Sequence, residues 1–397
     1  MEKQKKRVLI FSLVYYPRFV GGAEVAVKEI TDRLGDEIEF DMVTLRLDAA
    51  LPRFERIGKV NVYRVGFTLP WFQNISAENI PPVINLNKYL MPITASIKAL
   101  LLMRKKRYDI FWSLLASYQA FAALFLKMLL PRKKFLLTLQ EGDPISYIKK
   151  RAALSGGIYN HIFTYADTIQ TISNYLARFA HEMNAKCPVI VVPNGVDVDF
   201  FTRAYTEDEI NAEKKRIGKK EGEISLITTS RLVEKNNIAN VISALPLLPK
   251  EVVFYIAGNG PLFQNLKEQA LLLGLEERVR FLGFISHKDL PLLLKASDVF
   301  IRTPHSEGFG NSYIEAMATG LPCIASEVGG IGDFLKDGET GLFASPKHPE
   351  TVAEAVQRLM KDEDLVTKIK RNALEMVRQK YSWSLISEEM HTIFKNL

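Results

Sequence analysis

Two glutamates, Glu307 and Glu315, stand eight positions apart around a glycine-bounded turn in the stretch SEGFGNSYIEAMATGLPCIAS, residues 306–326. The apolar run 296–303 ahead of it has a strand pattern, 305–310 reads as a loop punctuated by Gly308 and Gly310, and Asn311 opens a helical run. That run ends at Gly320, where a helix C-cap glycine is expected. A glycine turn entering a helix leaves the first backbone N–H groups without intrahelical partners, and the helix dipole adds positive potential, so the turn suits an anion such as a diphosphate. Glu315, about one turn further in, can accept hydrogen bonds from neighbouring hydroxyls, and Glu307 faces whatever lies beyond the phosphates. Phosphate in the middle with a carboxylate at each end suits a nucleotide sugar, ribose at one glutamate and hexose at the other. The same residues also read as a capped helix with two solvated acids.

Further polar signals fall after other strand patterns. SRLVEKN, following 224–228, sets Arg231 and Lys235 four apart, a cation pair able to clamp a diphosphate and neutralise charge developing on a leaving group. Gly258-Asn259-Gly260-Pro261, following 252–257, lets backbone approach a ligand closely, and Gly21-Gly22, between the first strand and its helix, offers another phosphate contact. Taken singly, each is also a plain turn or a surface ion. The chain has no HExxH, CxxC pair, GxSxG, Walker loop or full GxGxxG, which sets aside hydride transfer with a Rossmann fingerprint and P-loop chemistry.

These residues need a scaffold of alternating strands and helices, and the periodicity supplies one. Strands are expected at 7–14, 37–45, 60–65, 109–113, 134–139, 167–171 and 189–192, with helices at 23–34, 86–104, 118–130, 155–165 and 174–183. Residues 67–91, rich in Pro, Asn and aromatics without a period, are expected to form a mobile excursion, and the charged stretch 202–222 a linker. Alternation resumes at 224–228 and continues through 238–247, 252–257, 262–273, 279–282, a helix opened by a Ser286/Asp289 capping box, 299–302, 323–325 and helices from 350. The expected class is α/β, two doubly wound parallel-sheet domains, 1–195 and 196–380, binding ligands at the carboxyl ends of their strands.

Length and composition agree with this. The 397 residues suffice for two domains, and 47% apolar with 24% charged residues is typical of soluble globular chains. Cys187 and Cys323 lack metal-ligand spacing, so a reduced, cytoplasmic protein is expected. The opening MEKQKKRVLIFSLVYYP runs straight into a strand; its apolar run is too short to span a bilayer and lacks a small-residue cleavage site, so neither signal peptide nor anchor is expected. Residues 1–190 carry 27 Lys and Arg against 16 Asp and Glu, net +11, and the remainder is −4. The basic clusters, 104–107, Lys127 with 132–134, and 149–151, mix with Trp71, Phe72, Tyr89, Phe121 and Phe125. With no nucleic-acid motif present, this mixture suits peripheral contact with an anionic membrane, at the inner face of the cell membrane, or a lipid-linked acceptor; a solvated basic rim is the other reading.

The succession YYPRFVGGAE, PNGVDVDFF, SRLVEKNNI, AGNGP, FLGFISHKDL, EGFGNSYIEAMATGLPCIAS and GLF resembles the retaining glycosyltransferases of family 4, which have the GT-B fold. The resemblance spans nearly the whole chain. It implies two Rossmann-like domains facing a central cleft, with a final helix, 381–397, crossing back to the first. It further implies that Arg231 and Lys235 bind the donor diphosphate, Glu315 the ribose and Glu307 the transferred sugar. Backbone near Phe309, Gly310, Asn311, Ser312 and Gly22 would meet phosphates and sugar, with the base near Phe284 to His287. No metal and no cofactor beyond the nucleotide diphosphate sugar are expected. Where many members carry a histidine beside the reacting sugar, this chain reads Gln140-Glu141-Gly142-Asp143. Glutamine hydrogen-bonds a hydroxyl but takes no proton, so Glu141 and Asp143 are the acceptor-side candidates for a base. The resulting expectation is a retaining, metal-independent hexosyltransferase moving sugar from a UDP- or GDP-sugar to a glycan or lipid-linked acceptor in surface polysaccharide synthesis. The alternatives are a nucleotide-sugar epimerase of the same architecture and a non-catalytic nucleotide-sugar-binding module.

Overall fold

The computed structural model of the chain describes residues 5–75, 80–153 and 156–397. It divides into two compact units: the first runs to Glu141, resumes over Ile145–Asn194 and takes Trp383–Leu397, while the second comprises Gly142–Pro144 and Gly195–Ser382.

The strands of the first unit are β1 (Lys6–Phe11), β2 (Ile38–Leu45), β3 (Phe54–Ile57), β4 (Val60–Val65), β5 (Ile110–Leu114), β6 (Lys134–Leu139), β7 (Thr168–Thr171) and β8 (Val189–Val191). They form one sheet in the order β3-β4-β2-β1-β5-β6-β7-β8, parallel throughout except for β3 against β4. Central strands such as VLIF of β1 and IFWSL of β5 are apolar on both faces because helices cover both sides of a parallel sheet. The helix Trp383–Asn396 seals one face, setting Phe394 against Trp112 and Phe40 with ring centroids 5.1 and 5.9 Å apart.

The second unit holds β9 (Ile224–Thr229), β10 (Val252–Ala257), β11 (Val279–Gly283), β12 (Val299–Arg302), β13 (Cys323–Ala325) and β14 (Leu342–Phe343). All are parallel in the order β11-β10-β9-β12-β13-β14. Leu226, Phe254, Ile256 and Ile301 pack against Val241, Ile242, Val352 and Val356 from the covering helices.

Four local expectations change. The edge strand β3 and the helix Ile145–Ala153 were absent from the sequence reading; both are short, and the helix buries no residue, so neither leaves a strong apolar period. Within the charged stretch 202–222 lies the helix Glu207–Arg216, not a linker. Thr206 caps Glu209 N and Glu209 returns a bond to Thr206 N, with acids in the first turn and cations in the last, so local electrostatics carry a helix that has little apolar face. Ser286 does not cap a helix: its hydroxyl donates to the Asp289 carboxylate at 2.6 Å, and a 3₁₀ turn, His287–Asp289, precedes the helix Leu290–Lys295. Residues 67–91 are tied down rather than free where described. Buried Asn87 accepts from Phe67 N and donates to Phe67 O, and Asp48 accepts from Ile75 N. Residues 76–79, and Ser155 at the start of the expected helix 155–165, lie outside the described residues; the helix there is Ile158–Thr164.

Candidate active site

At the carboxyl end of the second sheet, four loops are fastened to one another by side chains bonding to backbone. The loop after β9 carries Arg231 and Lys235. Asn236 Nδ2 donates to Arg231 O at 2.7 Å, Asn237 Nδ2 to Thr303 O at 2.8 Å, and Asn240 Nδ2 to Thr303 Oγ1 at 3.0 Å. His305 N donates to Lys235 O at 2.8 Å. Lys235 is thereby fixed relative to the loop that holds Glu307. Leu232 N bonds Asn259 O, and a Cβ on Gly258 would lie 1.9 Å from Ser230 O. Gly258 therefore lets two loops approach closely and through that contact sets the backbone of Arg231.

Glu307 is held from three sides. Its Oε2 accepts from Arg302 Nη2 at 2.6 Å and its Oε1 from Gly308 N at 3.0 Å. Its carbonyl accepts from Gly330 N at 3.1 Å, and Gly329, at φ +58°, would place a Cβ 1.7 Å from that carbonyl, so only glycine fits there. Arg302 is the last residue of β12, and its guanidinium lies 5.0 Å from the ring centroid of Tyr313, whose hydroxyl donates to Arg302 O at 2.6 Å. Burial works against the Arg302 charge, yet Tyr313 and Glu307 together hold its pKa above the ordinary guanidinium value. Arg302, Gly329 and the three asparagines were missed from sequence. Arg302 is a cation inside an otherwise apolar strand, VFIR, and that was the available signal.

The helix Asn311–Ala318 starts behind Gly310, which sits in the left-handed region at φ 114°. Ser312 Oγ and Ser230 Oγ are buried without a hydrogen-bond partner among the described residues. The side chain of Phe309 is buried between Phe334 and Tyr381, centroids 5.4 and 5.6 Å away, so any ligand contact there is left to its backbone. Phe284, at the end of β11, is 76% exposed. Glu315 has His287 Nε2 3.9 Å from its Oε1, and burial pushes its pKa up to about 7, opposed only by the positive charge of Arg302. His287 in turn stacks on Phe200 at 5.4 Å.

The remaining expected residues divide between the units. Asp143 belongs to the short segment grouped with the second unit, where its Oδ1 lies 3.0 Å from Lys235 Nζ; the expected acceptor-side acid thus stands on the expected diphosphate cation. Gly22, Gln140 and Glu141 belong to the first unit. Gly22 begins the helix Gly22–Leu34 behind Gly21, whose N–H donates to Glu24 Oε2 at 2.8 Å. Glu141 Oε1 accepts from Ala116 N at 2.7 Å, and Gln140 Oε1 is buried without a partner among the described residues. No group of three His, Cys, Asp or Glu able to hold a metal ion occurs among the described residues.

Family models match both halves: "Glycosyltransferase Family 4" over residues 20–200 and "Glycosyl transferases group 1" over 209–376. The chain belongs to this glycosyltransferase family. An uncharacterized glycosyltransferase of Methanocaldococcus jannaschii is 27% identical, covering 98% of each chain. The N-acetyl-alpha-D-glucosaminyl L-malate synthase of Bacillus anthracis is also 27% identical, covering 97% of this glycosyltransferase and 96% of the synthase. The solved structure of Anabaena HepE in complex with UDP-glucose superimposes with a TM-score of 0.78 at 20% identity, over 98% of this chain and all of that one. The glycosyltransferase has the GT-B fold.

Proposed function

We propose that this glycosyltransferase is a retaining, metal-independent hexosyltransferase that moves a sugar from a UDP- or GDP-sugar to a glycan or lipid-linked acceptor at the inner, cytoplasmic face of the cell membrane, in surface polysaccharide synthesis. The observation that carries the reading is the immobilised Glu307 carboxylate. Held by Arg302 and Gly308 N, it is oriented to accept hydrogen bonds from sugar hydroxyls and is poorly suited to act as a nucleophile, because its charge is already engaged by a buried cation. Arg231 and Lys235, on a loop fastened to that of Glu307, are the cations for the donor diphosphate, and Glu315 is the acceptor for the ribose. The donor assignment draws on the UDP-glucose of HepE and the N-acetylglucosaminyl group named for the Bacillus synthase.

In the proposed step the acceptor hydroxyl attacks the anomeric carbon on the face from which the diphosphate leaves. The bond from that carbon to the phosphate oxygen breaks, and the hydroxyl proton passes to the departing diphosphate. Stabilising that charge by fixed cations is the largest protein contribution expected. Incubating donor with and without candidate acceptors, with release of free nucleotide and the anomeric configuration of the product as readouts, tests the proposal. Release of nucleotide with an epimerised free sugar in the absence of acceptor would instead establish an epimerase; donor binding without any turnover would establish a binding module. Inversion at the anomeric centre, or loss of activity on chelation that added metal restores, would overturn the mechanism.

A further inference from the structure

The first unit carries an apolar surface that its own fold leaves uncovered. The helix Asn87–Met103 buries Met91, Ala95, Ala99 and Leu102 against the unit, and still presents Tyr89, Ile93, Ile97 and Leu101 on its other side, 63, 59, 54 and 48% exposed. These positions recur at helical spacing and so form one stripe. The helix Tyr118–Leu129 packs beside it and repeats the pattern with Phe125, Met128 and Leu129, 43, 53 and 62% exposed. Neither helix contains an Asp or Glu. A helix apolar on both sides is covered by something, because scattered exposure of single residues is ordinary but a contiguous stripe is not.

The charge around the stripe indicates what covers it. Beyond the carboxyl ends of both helices the chain turns strongly basic: Arg104, Lys105, Arg107 and Arg132 are exposed, and none makes a salt bridge among the described residues. Arg107 and Arg132 also line a cavity of about 510 Å³ together with Lys5, Lys6, Lys133 and Lys134, in which Asp109 is the single acidic side chain. Both helices cross back between parallel strands, so their carboxyl ends lie at the same end of the sheet, by the amino ends of its strands, and the basic residues gather at one end of the apolar face. No described helix is long and apolar enough to cross a membrane.

We infer that the face formed by Asn87–Met103 and Tyr118–Leu129 docks onto an anionic lipid bilayer, with Ile93, Ile97, Leu101 and Met128 entering the headgroup boundary and Arg104, Lys105, Arg107 and Arg132 facing lipid phosphates. An apolar stripe bordered by unpaired cations matches such a surface. Symmetric pairing with a second copy would bring like charges together. The inference rests on the proposal that the acceptor is lipid-linked, and places that reading on one surface.

Flotation of the full chain with phosphatidylcholine vesicles, with and without about 30% phosphatidylglycerol, tests it. Binding is expected only to the anionic vesicles and is expected to weaken in high salt. Combining Arg104→Gln, Lys105→Gln and Arg107→Gln should lower the affinity on the order of 100-fold, at about fivefold for each cation lost from the surface. Combining Ile93→Ser, Ile97→Ser and Leu101→Ser should abolish salt-resistant binding, and because these side chains are exposed, melting temperature and nucleotide binding should stay unchanged. Absence of binding to anionic vesicles, equal binding by both sets of variants, or a concentration-dependent dimer that the serine variants dissociate would overturn the inference. Transfer to a water-soluble acceptor with no vesicle binding would remove the docking face and leave the hexosyltransferase standing. Vesicle binding without any transfer would do the reverse.

Discussion

The loops that follow the strands of the second sheet and those that follow the strands of the first are built differently. In the second unit, side chains bind the backbone of neighbouring loops: Asn236, Asn237 and Asn240 join the loop after β9 to itself and to that after β12, and Ser326 Oγ donates to Pro304 O at 2.5 Å. A buried cation then fixes the carboxylate at the centre. In the first unit the strand-end loops are also tied by side chains, with buried Arg64 donating from Nη2 to Tyr16 O at 2.8 Å and Asp48 Oδ2 accepting from Ile75 N at 3.0 Å. Ser12 Oγ donates to Val14 O and Glu141 accepts from Ala116 N, while Gln140 Oε1 has no partner among the described residues. The distinctive surface of that unit is instead an apolar helix face. A site for a doubly charged, invariant diphosphate gains from fixed charges, because no reorganisation is then needed as charge develops. A surface for an acceptor or a bilayer gains from apolar area, which is non-directional.

Four variants break or sharpen this contrast. Arg302→Met should be the most damaging, since it leaves Glu307 partly buried without its counter-ion; a loss of about 3–5 kcal/mol is expected in chemical denaturation. If stability drops but donor affinity survives, the buried pair is structural and the contrast fails. Lys235→Ala should lower kcat/KM for transfer roughly 10²- to 10³-fold with the melting temperature unchanged. Full activity would remove Lys235 from the site.

Glu315→Gln probes the same unit through pH. A carboxyl group whose folded pKa is raised from 4.5 to about 7 binds protons more tightly in the folded state, so its stabilisation is present below about pH 4.5 and is lost as pH rises to about 7. The wild type should therefore lose up to about 3 kcal/mol more than the glutamine variant between pH 4.5 and 7.5. Parallel denaturation profiles would show that Glu315 is solvated. In the first unit, Gln140→Met should change stability by less than about 1 kcal/mol, because the lost carbonyl oxygen had no partner to leave behind. A rise in KM for acceptor or donor at constant stability would mark that oxygen as a ligand contact and show that the first unit also carries a polar site.

Much of this was legible without coordinates. Strand and helix alternation gave the α/β class and the two parallel sheets, because two-sided burial writes itself as continuous apolar runs of about six residues. The turn before Asn311 was legible because glycine adopts a positive φ, as Gly310 does at 114°, without the steric cost a side chain brings. Short elements with weak periods, β3 and Ile145–Ala153, were not legible, and a charged helix, Glu207–Arg216, read as a linker because its stability lies in caps and end charges.

What the sequence determined by itself was therefore the identity and order of the chemical groups: Arg231 and Lys235 after one strand, Glu307 and Glu315 after another. Their partners were decided only by tertiary structure. Arg302 meets Glu307 five positions on because strand and loop fold back, and Gly329 meets the Glu307 carbonyl across a neighbouring strand. Asp143 reaches Lys235 over 92 residues of chain. Local sequence encodes backbone preference and burial, both short-ranged; which buried charge faces which is set by sheet order and register, properties of the assembled chain.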